Sequence, residues 1–160
     1  MARLADLKLR YRMLMQAYPY RRIDWRPGAR LSKPLSESRI SLVTSAGFFV
    51  PGQPPFDSSI RGGDWSFREI PSSTSVQSVL IGQKSDAFDH AGIEADRNLA
   101  LPLDRLRELA EGGEVGDVSA HHFSIMGSIS APGRLISQSA PAITRSLQQD
   151  KVEAVFLTPV

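Results

Sequence analysis

The 160-residue sequence contains no cysteine. That single absence removes disulfides, zinc–thiolate sites, iron–sulfur clusters and a cysteine nucleophile from these residues. No run approaches the roughly 20 consecutive apolar residues of a membrane-spanning helix. Aromatic residues make up only 8% of the chain, and no zinc finger or aromatic RNA-binding motif is legible among them. The sequence also has no G-x-S-x-G elbow, no glycine loop closing on Lys-Ser/Thr and no D-x-D-x-D-G calcium loop. What remains is 41% hydrophobic and 22% charged residues with 12 Gly and 11 Pro, a globular composition rich in turns. A chain of this length buries roughly 70% of its unfolded surface as one domain.

Charge is unevenly distributed. Residues 1–40 carry ten Lys and Arg against three acids, whereas residues 41–160 carry nine against fourteen. Arg10, Arg12, Arg21, Arg22, Arg26 and Arg30 are interleaved with Tyr11, Tyr18, Tyr20 and Trp25, a pattern open to a nucleic-acid or membrane-surface role. The modest net charge of +2 favours the plainer reading of a solvated helix and docking tail, with no nucleic-acid partner. Asp6 comes early, and neither an apolar core of 7–15 residues nor a small-residue cleavage site follows, so the segment does not read as a signal or transit peptide. A cytoplasmic location is the expectation.

Leu4, Leu7, Tyr11, Leu14, Met15 and Tyr18 recur at helical spacing, predicting an amphipathic helix over residues 2–17 that ends before Pro19. Residues 19–37 hold three prolines and Gly28 and read as an extended connection. Ile40 to Ser45 predicts the first strand, and Pro51 to Trp65 a long loop. Phe67–Ile70 and Val76–Ile81 are short strand candidates, and residues 82–98 a polar loop. A helix is expected from Pro102 to the stop at Gly112-Gly113, and a strand with a turn near His121-His122. Residues 133–149 show a helical face interrupted by Pro141, and Val152–Leu157 reads as a strand buried on both faces. The order favours an α/β fold: an at least partly parallel sheet with flanking helices, preceded by the N-terminal helix.

Catalytic groups are harder to assemble. His121 and His122 are adjacent, so on a strand they face opposite ways and cannot easily share a metal. Asp89 and His90 have no ligand spacing to support a metal site. In parallel sheets, ligands gather at the carboxyl ends of the strands, which draws attention to Thr158, Pro159 and Val160.

Several phrases occur in a specific order. They are Thr44-Ser45-Ala46-Gly47, Pro54-Pro55-Phe56-Asp57, Gly63-Asp64-Trp65-Ser66-Phe67-Arg68, Ile70-Pro71, Asp96-Arg97-Asn98, Pro102 to Leu106, Gly116, His122-Phe123, Met126-Gly127 and Leu157-Thr158-Pro159-Val160. Together they resemble the glycine/sarcosine/betaine/D-proline reductase family, selenoprotein B type, over roughly residues 38–160. The resemblance divides the chain into a basic helix and linker, 1–37, and the N-terminal part of an α/β reductase domain, 38–160.

The resemblance implies an oxidoreductase subunit for reductive cleavage of a carbon–nitrogen bond in a small amine or amino acid. In that family a selenolate is the nucleophile and a thiol/disulfide system of thioredoxin type is the electron source. A selenium–sulfur bridge to a neighbouring cysteine is reset by thiol exchange. Other reductase subunits, one of them carrying a pyruvoyl group, are the implied partners. Asp64, Arg68, Asp96, Arg97 and His122 become substrate-binding candidates, each also open to a purely structural reading. No cofactor or metal is implied beyond the selenocysteine, and no catalytic residue lies within residues 1–160. The alternative is a non-catalytic binding or assembly subunit that keeps the fold. In the family, a Thr-Pro-Val-like strand end is followed at once by selenocysteine or cysteine, then two residues and a cysteine. The expectation is therefore a TGA codon directly after that of Val160, an in-frame cysteine codon nearby and a selenocysteine insertion element downstream. Sequencing the locus checks it, and a TAA or TAG codon rules it out.

Overall fold

The computed structural model describes residues 5, 8–18, 28–83, 90–127 and 129–160. It forms two units, residues 1–30 and 31–160. In the first, α1 (Leu9–Ala17) ends at Tyr18, whose extended backbone suits a residue preceding proline. Leu9, Tyr11, Met13, Met15 and Tyr18 are all exposed, so the described members of the predicting stripe, Tyr11, Met15 and Tyr18, face solvent. Residues 2–4, 6 and 7 of the expected 2–17 span, and Pro19 to Pro27, lie outside the described residues.

The second unit is built on β1 (Arg39–Thr44), which pairs on both edges. Along one edge run β5 (Asp117–Val118) and β6 (His121–Ile125), both parallel to β1. Along the other runs β7 (Ala154–Thr158), parallel in a register from Ile40↔Ala154 to Thr44↔Thr158. The antiparallel strand β3 (Phe67–Pro71) closes the far side of β6. The sheet is thus mostly parallel, as expected. Its central strand is buried on both faces, with Ser41 as well as Ile40, Leu42 and Thr44 withdrawn from solvent. β2 (Phe48–Phe49) and β4 (Leu80–Ile81) make a separate antiparallel pair.

One face of the sheet packs Ile40, Leu42 and Ile70 into a core with Ala100, Leu101, Leu103, Leu106 and Val115. These helical contributions come from α3 (Leu103–Glu111) and the turn before it. Asp104 lies in the first turn of α3, and Gly112 and Gly113 follow its end, as read from the sequence. The other helices are α2 (His90–Ala95) and α4 (Ala140–Gln149). No helix among the described residues is long and apolar enough to cross a membrane.

Several expectations need correction. Val76–Ser78 is a 3-10 turn, and only Leu80–Ile81 is strand. The polar loop expected over 82–98 instead contains α2 and a 3-10 turn at Arg97–Leu99; Asp86 and Asp89 lie outside the described residues. A single buried side chain, Ile93, anchors α2, too little for a legible period. His121 and His122 are in β6 itself, rather than at a turn. Pro141 does not interrupt its helix, because the preceding turn widens to π geometry over Leu135–Ser139 and Ala140 N–H bonds Leu135 O. A π turn is one of the adjustments that accommodates a missing amide donor. Finally, β7 is not covered on both faces. Val155, Phe156 and Leu157 are 40%, 55% and 65% exposed, and its outer edge pairs with no strand among the described residues. Phe156 borders an apolar groove of about 420 Å³ shared with Leu42, Leu106 and Leu109.

Close backbone approach fixes one glycine. A Cβ on Gly116 would stand 2.5 Å from the Glu37 carbonyl carbon and 2.7 Å from Ser38 N. Backbone atoms there cannot step aside, so Gly116→Ala is expected to cost roughly 1–3 kcal/mol in denaturant unfolding. Gly133→Ala, where a Cβ meets nothing within 4 Å, is expected to leave the midpoint unchanged or raise it.

Candidate functional site at the carboxyl edge of the sheet

The parallel strands β1, β6 and β7 end side by side. Ser45 N–H donates to Thr158 O at 3.1 Å, and Val160 N–H donates to Ser45 Oγ at 2.9 Å. Gly47 N–H reaches back to Ile125 O at 2.9 Å. Gly127 fits between the other two exits: a Cβ there would lie 2.8 Å from Ser45 O and 2.9 Å from Val160 O. Thr158 Oγ1 donates to Ala100 O at 2.7 Å, tying the tip of β7 to the turn before α3.

The pairing register lines up a polar row across this edge, with Arg68 beside Ser124, Ser124 beside Thr44 and Thr44 beside Thr158. Such rows share one face of a sheet. Thr44 Oγ1 accepts Ala46 N–H at 3.2 Å, whereas Ser124 Oγ is buried with no hydrogen-bond partner among the described residues.

His122 lies two residues before Ser124 on the same face of β6 and is fully buried. Its Nδ1 accepts Leu42 N–H at 3.0 Å. An amide can only donate, so the neutral ring carries its proton on Nε2. Nε2 has no hydrogen-bond partner among the described residues. Burial first, then the positive charge of Arg107 and neighbouring His121, lower its pKa to about 4. His121, on the opposite face, places Nδ1 2.7 Å from Asp150 and Nε2 3.6 Å from Glu69.

The charged candidates are placed as follows. Asp64 and Arg68 come together beneath the loop of residues 51–66. Asp64 Oδ1 accepts Ser66 Oγ–H at 2.6 Å and Ser66 N–H at 2.9 Å, and Oδ2 accepts Asp57 N–H at 2.8 Å. Burial opposes ionisation of Asp64, yet these bonds and Arg68 hold its carboxyl below the usual range. Arg68 donates to Pro54 O and Pro55 O at 2.8 and 3.0 Å and stacks 4.3 Å from the Phe56 ring. Asp96 caps the turn of residues 97–99 by accepting Asn98 N–H at 2.9 Å. Arg97 donates to Val79 O and Glu94 O at 2.9 and 3.1 Å. All five candidates are thus held by protein partners, His122 through Nδ1 alone, and Asp96-Arg97 is not joined to Asp64-Arg68. Among the described residues no three His, Asp or Glu side chains could hold a metal.

Ser45 and Gly127 carry the strand-end geometry, and reasoning from charge gave them no role. Their signal was present in the phrases Thr44-Ser45-Ala46-Gly47 and Met126-Gly127, both ending strands.

Because His122 is held neutral, its contribution to stability is complete above its unfolded pKa of 6.5 and is lost as pH falls towards about 4. The loss is on the order of 3 kcal/mol. Asp64 is depressed from 3.8 and acts below that window, whereas Glu153, depressed from 4.5 by its bonds to Lys33 and Arg39 N–H, starts to lose its contribution at the lower end of it. Denaturant unfolding at pH 7 and pH 4.5 is expected to show most of this loss in the native chain. His122→Asn, which keeps an acceptor for Leu42 N–H, is expected to flatten it.

Residues 7–160 match the family described as Glycine/sarcosine/betaine reductase selenoprotein B. The match reaches beyond the 38–160 span carried by the motifs and takes in α1. D-proline reductase subunit gamma of Acetoanaerobium sticklandii is 29% identical over 134 residues, covering 84% of this chain and 52% of that protein. Betaine reductase complex component B subunit beta of Peptoclostridium acidaminophilum is 26% identical over 126 residues, 79% of this chain and 29% of that protein. Glycine reductase complex component B subunit gamma of the same organism is 28% identical over 147 residues, 88% and 32% respectively. The chain therefore spans about half the length of the first relative and about a third of the other two. No solved structure gives a significant match. With its parallel strands ending together at Ser45, Gly127 and Val160 and nearly its whole length matched, the chain belongs to the glycine/sarcosine/betaine reductase selenoprotein B family.

Proposed function

We propose that this chain forms part of a reductase subunit that cleaves a carbon–nitrogen bond in a small amine or amino acid, in the cytoplasm and together with other subunits. The relatives named as components of glycine and betaine reductase complexes support that class. The observation that carries it is the convergence of three strand ends, where Ser45 Oγ and Gly127 fix the exit of β7. In this reading a selenocysteine or cysteine of a longer product stands directly beyond that exit, as the resemblance implies. A selenol ionises below a thiol, so a selenolate there needs no strong general base, and a partner's dithiol supplies the two electrons. Around it this chain contributes position: Ser45 holds the backbone, Thr158 anchors the strand and the Thr44–Ser124 row lies behind. Asp64, Arg68, Asp96, Arg97 and His122 shape the surrounding loops and strands in this reading. Arg68 and Asp64 hold the loop of residues 51–66 in place.

A second reading, a binding or assembly subunit, is favoured by the absence of any cysteine in the 160 residues. The gene product translated through the codon after Val160, with selenocysteine machinery and a dithiol, separates the two. Consumption of glycine, sarcosine, betaine or D-proline is expected, and it is expected to disappear when that codon is changed to serine. No consumption of any of the four, with the complex partners present, selects the assembly reading.

A further inference from the structure

β7 is the least covered strand of the sheet. Val155, Phe156 and Leu157 are all exposed, and its outer edge pairs with no strand among the described residues. The connection that leads into β7 shows which of its faces is open to more chain. Leaving β6, the chain passes through the π turn and α4 and crosses β1 to reach β7 on the far side. This crossover lies on the face of β6 that carries His121 and Phe123. Asp150, at the end of α4, meets His121 Nδ1 at 2.7 Å, and the Phe67 ring, which meets Phe123 edge to face, shares a cleft with Gln138, Ser139 and Ala142. Ser139 closes the same side by donating its hydroxyl to Trp65 O. Val43 stands beside both Phe123 and Leu157, so Leu157, and with it Val155 two residues earlier, belongs to the α4 face. Phe156 belongs to the other face, where it borders the groove with Leu42, Leu106 and Leu109 of the α3 side.

Crossovers between parallel strands of one sheet keep a single hand, so successive moves in the same direction across the sheet use the same face. The move from β6 past β1 to β7 uses the α4 face. The longer connection from β1 to β5 and β6, which runs the other way, brings α3 to the opposite face, as a single hand requires. A further move outward from β7 must then use the α4 face again. There it buries Val155 and Leu157 with gain, and the strand it feeds takes the open edge of β7, which an apolar strand otherwise leaves free to associate. Chain enough for such a unit exists in the relatives. About half of the D-proline reductase subunit and about two-thirds of the betaine and glycine reductase subunits lie outside the matched span, whereas a crossover needs on the order of a dozen residues. We propose that the residues following Val160 in a longer product form a helix beside α4 on Val155 and Leu157 and return as a strand parallel to β7 along its free edge. The occupant rests on the reading of this chain as part of a longer reductase subunit, and the face and direction rest on the order of β6, β1 and β7.

The test compares the 160-residue chain with the longer product, made in full by changing the codon after Val160 to cysteine. In hydrogen exchange, the amides of Ala154–Thr158 that point away from β1 are expected to exchange at least tenfold more slowly in the longer product. Leu157→Lys is expected to move the urea midpoint of the 160-residue chain by no more than about 0.3 M, since that side chain is already exposed, and to lower that of the longer product by roughly 1 M. Phe156→Lys reports on the opposite face. Equal exchange in the two chains, an equal cost of Leu157→Lys in both, or an added cost at Phe156 alone overturns the proposal. So does slow exchange that depends on protein concentration, which gives the edge to a second copy, and so does a TAA or TAG codon after Val160. Should the Leu157→Lys product fail to fold, exchange in the unsubstituted product decides. If the selenocysteine-containing product consumes glycine, sarcosine, betaine or D-proline while β7 stays open, this proposal falls and the reductase reading stands. If β7 is covered and none of the four is consumed, the reverse holds.

Discussion

The structure depends on β1 having a parallel partner along each edge. With β6 on one side and β7 on the other, every residue from Ile40 to Thr44 faces β7, and the ends of three strands are forced to one level. Parallel pairing is what makes this an edge of chemistry: all the chain reversals into helices or turns then leave from the same side. It also explains the polar groups in the middle of the sheet. A strand buried on both faces leaves no wet side, so Ser41, Thr44, His122 and Ser124 go inside with it, where Ser124 Oγ and His122 Nε2 have no hydrogen-bond partner among the described residues. Ser41 Oγ donates to His121 O at 2.7 Å and Leu42 N–H finds the imidazole, so two of these groups bind the neighbouring strand rather than a ligand.

Much of this was legible beforehand. Leu42 and Val43 in an apolar β-branched run mark β1, and Leu103 and Leu106 after Pro102 mark α3, because local pattern and final burial coincide there. The opposite faces of His121 and His122 also followed from strand geometry alone. What failed did so for physical reasons. Val155, Phe156 and Leu157 look like a strand with two covered faces, since apolar runs report what a surface prefers and not what lies on it. α2 was missed because six residues with one buried side chain leave no period to detect.

The candidate site shows the same division. The charged residues that attracted a binding role, Asp64, Arg68 and Arg97, hold loops together through carbonyls and amides that are far away in sequence, such as Pro54 O and Val79 O. No composition rule separates an arginine that meets a substrate from one that meets a carbonyl. Ser45 and Gly127 matter through backbone proximity, which is invisible until the strands are paired. The family match from residue 7 onward nevertheless takes in α1, whose Leu9, Met13 and Met15 side chains are exposed, together with the sheet.

The π turn at Leu135–Ser139 also sets a phase. One extra residue per turn rotates everything before it by about 100° relative to everything after it. Ile136 therefore points outward at 50% exposure while Ser139 and Ile143 point inward, and the helix reads as two half-turns of a pattern spliced out of step. Removing a single residue from that turn would leave Pro141 inside a continuous α-helical turn, where it has no N–H to donate. It would also swing the Ser139 hydroxyl away from Trp65 O, so the less regular helix is the one that keeps the loop and the sheet edge in frame.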